Sequence, residues 1–238
     1  MSTDTDAPIV EMAGVTKVFR TGDVETQALR GLDLVVRPGE FTAIWGPSGS
    51  GKSTALNLIG ALDTPTAGTV TVEGKQLSAM SRRELSAMRR DRIGFVFQAY
   101  NLIPVLTAYE NAESVMALQG ASAAERKQRV MQLLADVGLQ GMEHRLPHEM
   151  SGGQQQRVAI ARAIASNPAV VLADEPTANV DSETAEKLLT IMAKLNEEQG
   201  VTFVFSTHDP RVMKYARRLV GLVDGRVDTD RTKDPGTE

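Results

Sequence analysis

The run Gly46-Pro47-Ser48-Gly49-Ser50-Gly51-Lys52-Ser53-Thr54 fits G-x-x-x-x-G-K-[ST], with Gly46, Gly51, Lys52 and Ser53 in the fixed places. A short apolar segment, Phe41-Thr42-Ala43-Ile44-Trp45, comes before it, and Ala55-Leu56-Asn57-Leu58-Ile59 reads as helix after it. That order of strand, loop and helix is the context the motif requires. Glycines let the backbone close around a polyphosphate, so that several N–H groups and the positive end of a helix dipole face one anion. Lys52 adds a point charge for the β- and γ-phosphates, and the Ser53 hydroxyl can ligate Mg²⁺. The plainer alternative is a glycine-rich turn capped by Ser53. The flanking strand and helix favour a nucleotide cradle built from residues 46–54.

Around this segment the composition is that of an ordinary soluble globular protein. The 238 residues, 42% of them hydrophobic, suffice for one large domain or a core with an inserted lobe. A net charge of −4 argues against a general nucleic-acid binder, whose phosphate contacts need a basic face, and no nucleic-acid partner is expected. The amino terminus, MSTDTDAPIVE, is acidic and lacks the basic and apolar segments of a signal peptide. No apolar run approaches the roughly 18 residues of a membrane span. These features predict a cytoplasmic protein. With no cysteine there is neither a disulfide framework nor a thiolate metal site.

Upstream, Ile9-Val10-Glu11-Met12, Val15 to Phe19 and Leu32 to Val36 read as strands of an antiparallel layer. Phe19 suits either a core position or a stack on a purine ring. Downstream, Ser81-Arg82-Arg83-Glu84 has the spacing of a capping box and opens a helix carrying Arg89, Arg90 and Arg92, a solvated face or an anion contact. Ile93 to Phe97 is a buried strand that delivers Gln98 to its carboxyl end, where ligands sit in open α/β sheets. Between residues 98 and 168 the signals are helical, including a second capping box at Ser122. Ser151-Gly152-Gly153-Gln154 opens a further helix, as a simple N-cap or as a second phosphate cradle.

Val170-Val171-Leu172-Ala173 is a run suited to a strand buried on both faces, and it ends in Asp174-Glu175. Two adjacent carboxylates there call for a positive partner. Mg²⁺ suits Asp174, and Glu175, pointing to the other side, can orient and deprotonate water. A helix over 183–199 and a strand over 201–205 follow, leading to His208 on the same sheet edge as Gln98 and Asp174. The segment 219–227 reads as a hairpin, and 229–238 as a disordered tail.

Taken together, GPSGSGKST, Gln98, SGGQQQR, VVLADEP, Asn179-Val180-Asp181 and His208 resemble the motif set of the ABC-type ATPases, in family order. The resemblance runs from about Ile9 to Val227. It implies an α/β P-loop NTPase core with a mainly parallel sheet, an antiparallel β layer and an inserted helical subdomain. The expected division is one domain over 1–228, its core at 1–97 and 169–228 and its helical lobe at 98–168. It further implies that Phe19 stacks on adenine, that Lys52 and Ser53 hold phosphates and metal, and that Gln98 senses the metal and the attacking water. Ser151, Gly152, Gly153 and Gln154 resemble the signature that grips the γ-phosphate of a nucleotide held by the opposite subunit. Asp174 would support Mg²⁺, Glu175 act as general base, Asp181 bridge two subunits and His208 bond the γ-phosphate. Met150 replaces the usual leucine and Phe19 the usual tyrosine, which are mild departures.

The segments Phe97 to Pro104 and Leu106 to Asn111 are similar to the lipoprotein-release and macrolide-export branch, whose members work with a separate integral-membrane subunit. The expectation is an ATPase using ATP and Mg²⁺, a homodimer, peripheral on the cytoplasmic face of the cell membrane through a permease partner. A patch at Tyr100, Leu102 and Ile103 is either the docking surface or core of the lobe. A regulatory cassette controlling cell-wall enzymes would look the same. A soluble cassette of translation or DNA repair would carry tandem cassettes or a coiled coil, and a small-molecule kinase would not explain SGGQ or His208.

Overall fold

The computed structural model describes residues 7–233. The glycine-rich loop leaves the carboxyl end of β3 (Phe41–Trp45), an interior strand of a six-stranded sheet. Across that sheet the order is β10 (Arg226–Thr232), β9 (Arg218–Val223), β3, β8 (Phe203–Thr207), β7 (Val170–Asp174) and β6 (Ile93–Val96). From β9 to β6 every neighbouring pair is parallel, and β10 alone joins antiparallel. The carboxyl ends of β3, β6, β7 and β8 therefore meet at one edge, which is where such sheets place ligands.

The continuous apolar runs of these strands divide between two cores. Val170, Leu172 and Val204 face one, and Val171, Ala173, Phe203 and Phe205 face the other, as the two-residue period of a doubly buried strand requires. On the first face lie α1 (Lys52–Ile59) and a second, all-antiparallel sheet in the order β2 (Val24–Val36), β1 (Val10–Thr21), β4 (Ala67–Val72) and β5 (Lys75–Gln76). α2 (Arg82–Arg92) buries Met88 in the same core. On the second face lie α3 (Ala108–Leu118), α4 (Ala123–Asp136), α5 (Gly152–Ala165) and α6 (Ser182–Gln199), with Val212 of α7 (Pro210–Tyr215).

Helix starts follow local chemistry. Ser81, Thr107, Ser122 and Ser151 each close a capping box with the residue three positions on, satisfying two otherwise orphaned N–H groups. Gly94 is required by packing, because a Cβ there would lie 2.3 Å from the carbonyl oxygen of Ala163 on α5.

Two expectations need correction. The strand expected to break at residues 13–14 is the continuous β1, interrupted by a bulge at which the Gly14 N–H donates to Asp33 Oδ1 at 2.7 Å. Residues 229–232 belong to β10 instead of a disordered tail. Arg218 fixes them by a fork to both carboxylate oxygens of Asp230, at 2.9 and 2.7 Å. Residues 234–238 of that expected tail, and residues 1–6 of the acidic amino terminus, lie outside the described residues. Of the patch that the sequence left open between docking surface and lobe core, Leu102 packs against the lobe core, Tyr100 is half-buried and Ile103 is exposed. No helix among the described residues is long and apolar enough to cross a membrane.

Candidate active site

One cleft gathers the predicted residues at the shared sheet edge: Pro47, Ser48, Gly49, Gly51, Lys52, Ser53 and Thr54 from the loop and α1, Gln98 after β6, Glu175 after β7 and His208 after β8. The loop can turn this tightly only because of its glycines. A Cβ on Gly46 would stand 2.2 Å from the Leu222 carbonyl oxygen, and one on Gly51, at φ +104°, would stand 2.6 Å from that of Ala28. Lys52 is buried, and its ammonium donates to the carbonyl oxygens of Gly46 and Pro47 at 2.8 and 2.9 Å. The loop therefore holds its own cation in place. The buried Ser50 hydroxyl has no hydrogen-bond partner among the described residues.

Ser53 Oγ donates to Asp174 Oδ1 at 3.0 Å, joining the first turn of α1 to the end of β7. A hydroxyl and one carboxylate, side by side next to a phosphate cradle, fit Mg²⁺, which takes one or two protein oxygens and completes its shell with phosphate oxygens and water. No group of three or more His, Asp or Glu side chains among the described residues could hold a cation by itself. The donor set thus suits a metal that arrives with its nucleotide.

Glu175 adopts φ +45°, a left-handed conformation unusual for a residue with a side chain, and its N–H donates to the Ser206 carbonyl at 2.9 Å. This turns its carboxylate toward β8. Oε1 lies 2.7 Å from His208 Nδ1, and Oε2 accepts from the Thr207 hydroxyl at 3.3 Å. Gln98 is exposed, and its amide exchanges contacts with Asn179, whose Nδ2 donates to the Gln98 carbonyl at 2.9 Å.

Gly46, Ser50 and Asp174 are not among the residues that line the cleft, and three further predicted groups stand outside it. Phe19, 42% exposed on β1, pairs across the ladder with Thr26 of β2, and the Lys17 ammonium sits 5.0 Å from its ring centroid. Ser151, Gly152, Gly153 and Gln154 form the start of α5, where Ser151 N–H donates to Gln154 Oε1 at 2.9 Å. Asp181 caps α6 and accepts the Thr184 hydroxyl at 2.7 Å, and that bond holds its carboxyl below the usual range. Gly153 and Asp181 meet at this threonine, since a Cβ on Gly153 would lie 2.3 Å from Thr184 Cγ2.

Sequence reading missed Ala28, Thr207 and Asn179. Ala28 lines the cleft from β2 and carries no chemical signal. Thr207 stood beside His208, and Asn179 two residues before Asp181, in segments already singled out.

The family model described as ABC transporter matches residues 29–178. The chain belongs to the ABC transporter family. Its fold is the ABC-ATPase fold, and it is an ATPase. The lipoprotein-releasing system ATP-binding protein LolD of Anaeromyxobacter dehalogenans is 48% identical over 94% of the chain and 94% of its own length. The macrolide export ATP-binding/permease protein MacB of an Azoarcus species is 44% identical over 99% of the chain, which spans only 35% of that longer protein. Among solved structures, the dimeric post-hydrolysis state of the ATP-binding cassette MJ0796 bound to ADP and Pi superposes with a TM-score of 0.87 at 44% identity, covering 94% of this chain and 99% of that one. These relatives span more than one branch of the family.

Proposed function

We propose that this chain is the ATP-hydrolysing subunit of a membrane assembly of the LolD and MacB kind, and that two copies pair head to tail around two MgATP. The observation that carries the reading is the separation within one chain. Lys52, Ser53, Glu175 and His208 share a cleft, with Asp174 bonded to Ser53 beside it, whereas Ser151 to Gln154 and Asp181 stand apart on the amino ends of α5 and α6. Each chain then owns half of two sites, and a two-fold dimer completes both.

In that reaction Lys52 and the loop N–H groups bind the β- and γ-phosphates; Ser53 and Asp174 would hold Mg²⁺, which would supply charge neutralisation there. Gln98 orients the water that attacks the γ-phosphorus, the β–γ bond breaks with ADP as leaving group, and Glu175, once His208 leaves it for the γ-phosphate, takes the water's proton. Phe19 offers its exposed ring to the adenine.

The membrane subunit docks in the groove between core and lobe. That groove is lined by the apolar Phe95, Phe97, Leu62 and Leu118 together with Arg89, Arg90 and Arg162. Exposed Ile103 and Val105 extend the apolar surface of this region of the chain. This partner would hold the chain at the cytoplasmic face of the cell membrane.

A mixing experiment tests the composite site. Lys52→Ala breaks the cradle, and Ser151→Glu sets a carboxylate against the facing phosphate. Each variant alone is expected to be inactive, while mixed dimers keep one intact site. An equimolar mixture then recovers about a quarter of the unaltered phosphate release, from half the dimers being mixed with one working site each. No recovery in a mixture shown to form mixed dimers contradicts the head-to-tail arrangement.

A further inference from the structure

Between β6 and the lobe the chain makes a turn that no glycine eases. Tyr100 has φ +59° and Asn101 φ +51°, two consecutive side-chain-bearing residues in the left-handed region. Such a turn persists only when its surroundings over-determine it. One arginine binds both strained residues. Arg162, near the end of α5, donates Nη1 to the Asn101 carbonyl at 2.5 Å and Nη2 to the Tyr100 carbonyl at 2.9 Å. The planar fork of a guanidinium suits two adjacent carbonyls, and an ammonium cannot reproduce it. Burial lowers the Arg162 pKa from the usual arginine value, and among the described residues no carboxylate pairs with it. A partly buried cation without a counter-ion is costly unless its hydrogen bonds offset the lost hydration.

The turn has a second tether. The Tyr100 hydroxyl donates to the Asn179 carbonyl at 3.1 Å, beside the Asn179 amide that holds the Gln98 carbonyl. It also stands where a Cβ on Gly152 would be, 2.6 Å away. Gln98, at the start of this turn, points into the phosphate cleft, and Asn101 and Arg162 line the groove on the other side.

We propose that Arg162 is a positioning residue for Gln98: by clamping the two strained carbonyls from α5 it fixes the turn that carries the glutamine into the ATP cleft. The inference rests on the assignment of Gln98 to the attacking water. It makes the geometry of the cleft depend on where α5 sits, and so on whatever occupies the groove that Arg162 lines.

The test is a cycle of Arg162→Met, Gln98→Ala and the double variant, each assayed for phosphate release at saturating MgATP and for ATP affinity by Trp45 fluorescence. Arg162→Met is expected to lower kcat about tenfold with ATP affinity within about twofold, and to lower it no further in the Gln98→Ala background. In the nucleotide-free chain, amide exchange over residues 98–103 should rise at least about tenfold, while the middle of α5 stays protected. Arg162→Lys, which keeps charge and reach, should fall between Met and the unaltered chain and covers the case in which the methionine variant does not fold. Equal further loss in the Gln98→Ala background, weakened ATP binding, or unchanged exchange of the turn overturns the proposal. A Gln98→Ala chain with full turnover instead removes the role of Gln98, and a defect in Arg162→Met then belongs to packing.

Discussion

Replacing Glu175 by glutamine separates chemistry from architecture more cleanly than any other change in this site. The carboxylate has two protein partners, the His208 ring at 2.7 Å and the Thr207 hydroxyl at 3.3 Å. A glutamine can serve both, its oxygen accepting from Thr207 and its amide donating to an unprotonated Nδ1. The backbone bond to Ser206 is untouched, so stability should change by less than about 1 kcal/mol, or a Tm shift below about 4 °C. The amide cannot take a proton from water. Loss of a general base costs about 10² to 10⁴ in turnover, or about 2.7 to 5.4 kcal/mol of transition-state stabilisation. The assay is phosphate release at saturating MgATP, alongside ATP titration by Trp45 fluorescence and sedimentation with ATP present. Unchanged affinity, turnover down at least a hundredfold and a dimer that persists with ATP are expected. Turnover within about threefold of the unaltered chain, with binding intact, would refute Glu175 as the base.

Further outcomes follow from other contacts. Lys52→Ala removes a charge-assisted contact to the phosphates of about 1.5 to 3 kcal/mol, so ATP affinity should fall about tenfold to a hundredfold in the same titration, and unchanged affinity contradicts the cradle. Gly46→Ala puts a methyl 2.2 Å from a backbone oxygen of β9, which must move; a loss of about 1 to 3 kcal/mol in urea unfolding is expected, together with loss of ATP binding. Asp230 has its pKa lowered, chiefly by the hydrogen bonds from Arg218. A depressed folded pKa gives stability that is present above the unfolded value, about 3.9, and is lost as pH falls through the folded one. Asp230→Asn should therefore lose less stability than the unaltered chain between pH 5 and pH 3 in urea titrations, and parallel losses in the two chains contradict the pairing.

The parts of this site that can be read from sequence are those whose chemistry is local. A glycine-rich loop between strand and helix, a carboxylate pair closing an apolar run and a serine three residues before glutamine each carry their own physical reason. The structure adds what depends on register and distance. Ala28 reaches the cleft because of where β2 runs beside the loop, across ladder shifts in β1 that hydrophobic alternation does not encode. Arg162 reads as one more arginine of a helix, and its targets lie 61 and 62 residues earlier in a turn with no glycine to mark it. The polar alternation of Thr229-Asp230-Arg231 looked like tail because its partner, Arg218, sits in the preceding strand.

The same contacts bear on why hydrolysis would wait for a second copy. In one chain Ser53 is exposed, His208 leans on Glu175, and Gln98 is held by Asn179, so the attacking water has neither an enclosed site nor a free base. Electrostatic stabilisation gains strength only where bulk water is excluded. Within the proposed pairing, the start of α5 from the partner copy closes over the γ-phosphate, which competes with Glu175 for His208 and frees the carboxylate at the moment the site is covered. Asp181, which accepts from Thr184, and Gly153, packed against the same threonine, belong to that surface. Within that pairing, binding by the cradle precedes chemistry, and a lone chain is expected to hold ATP without consuming it.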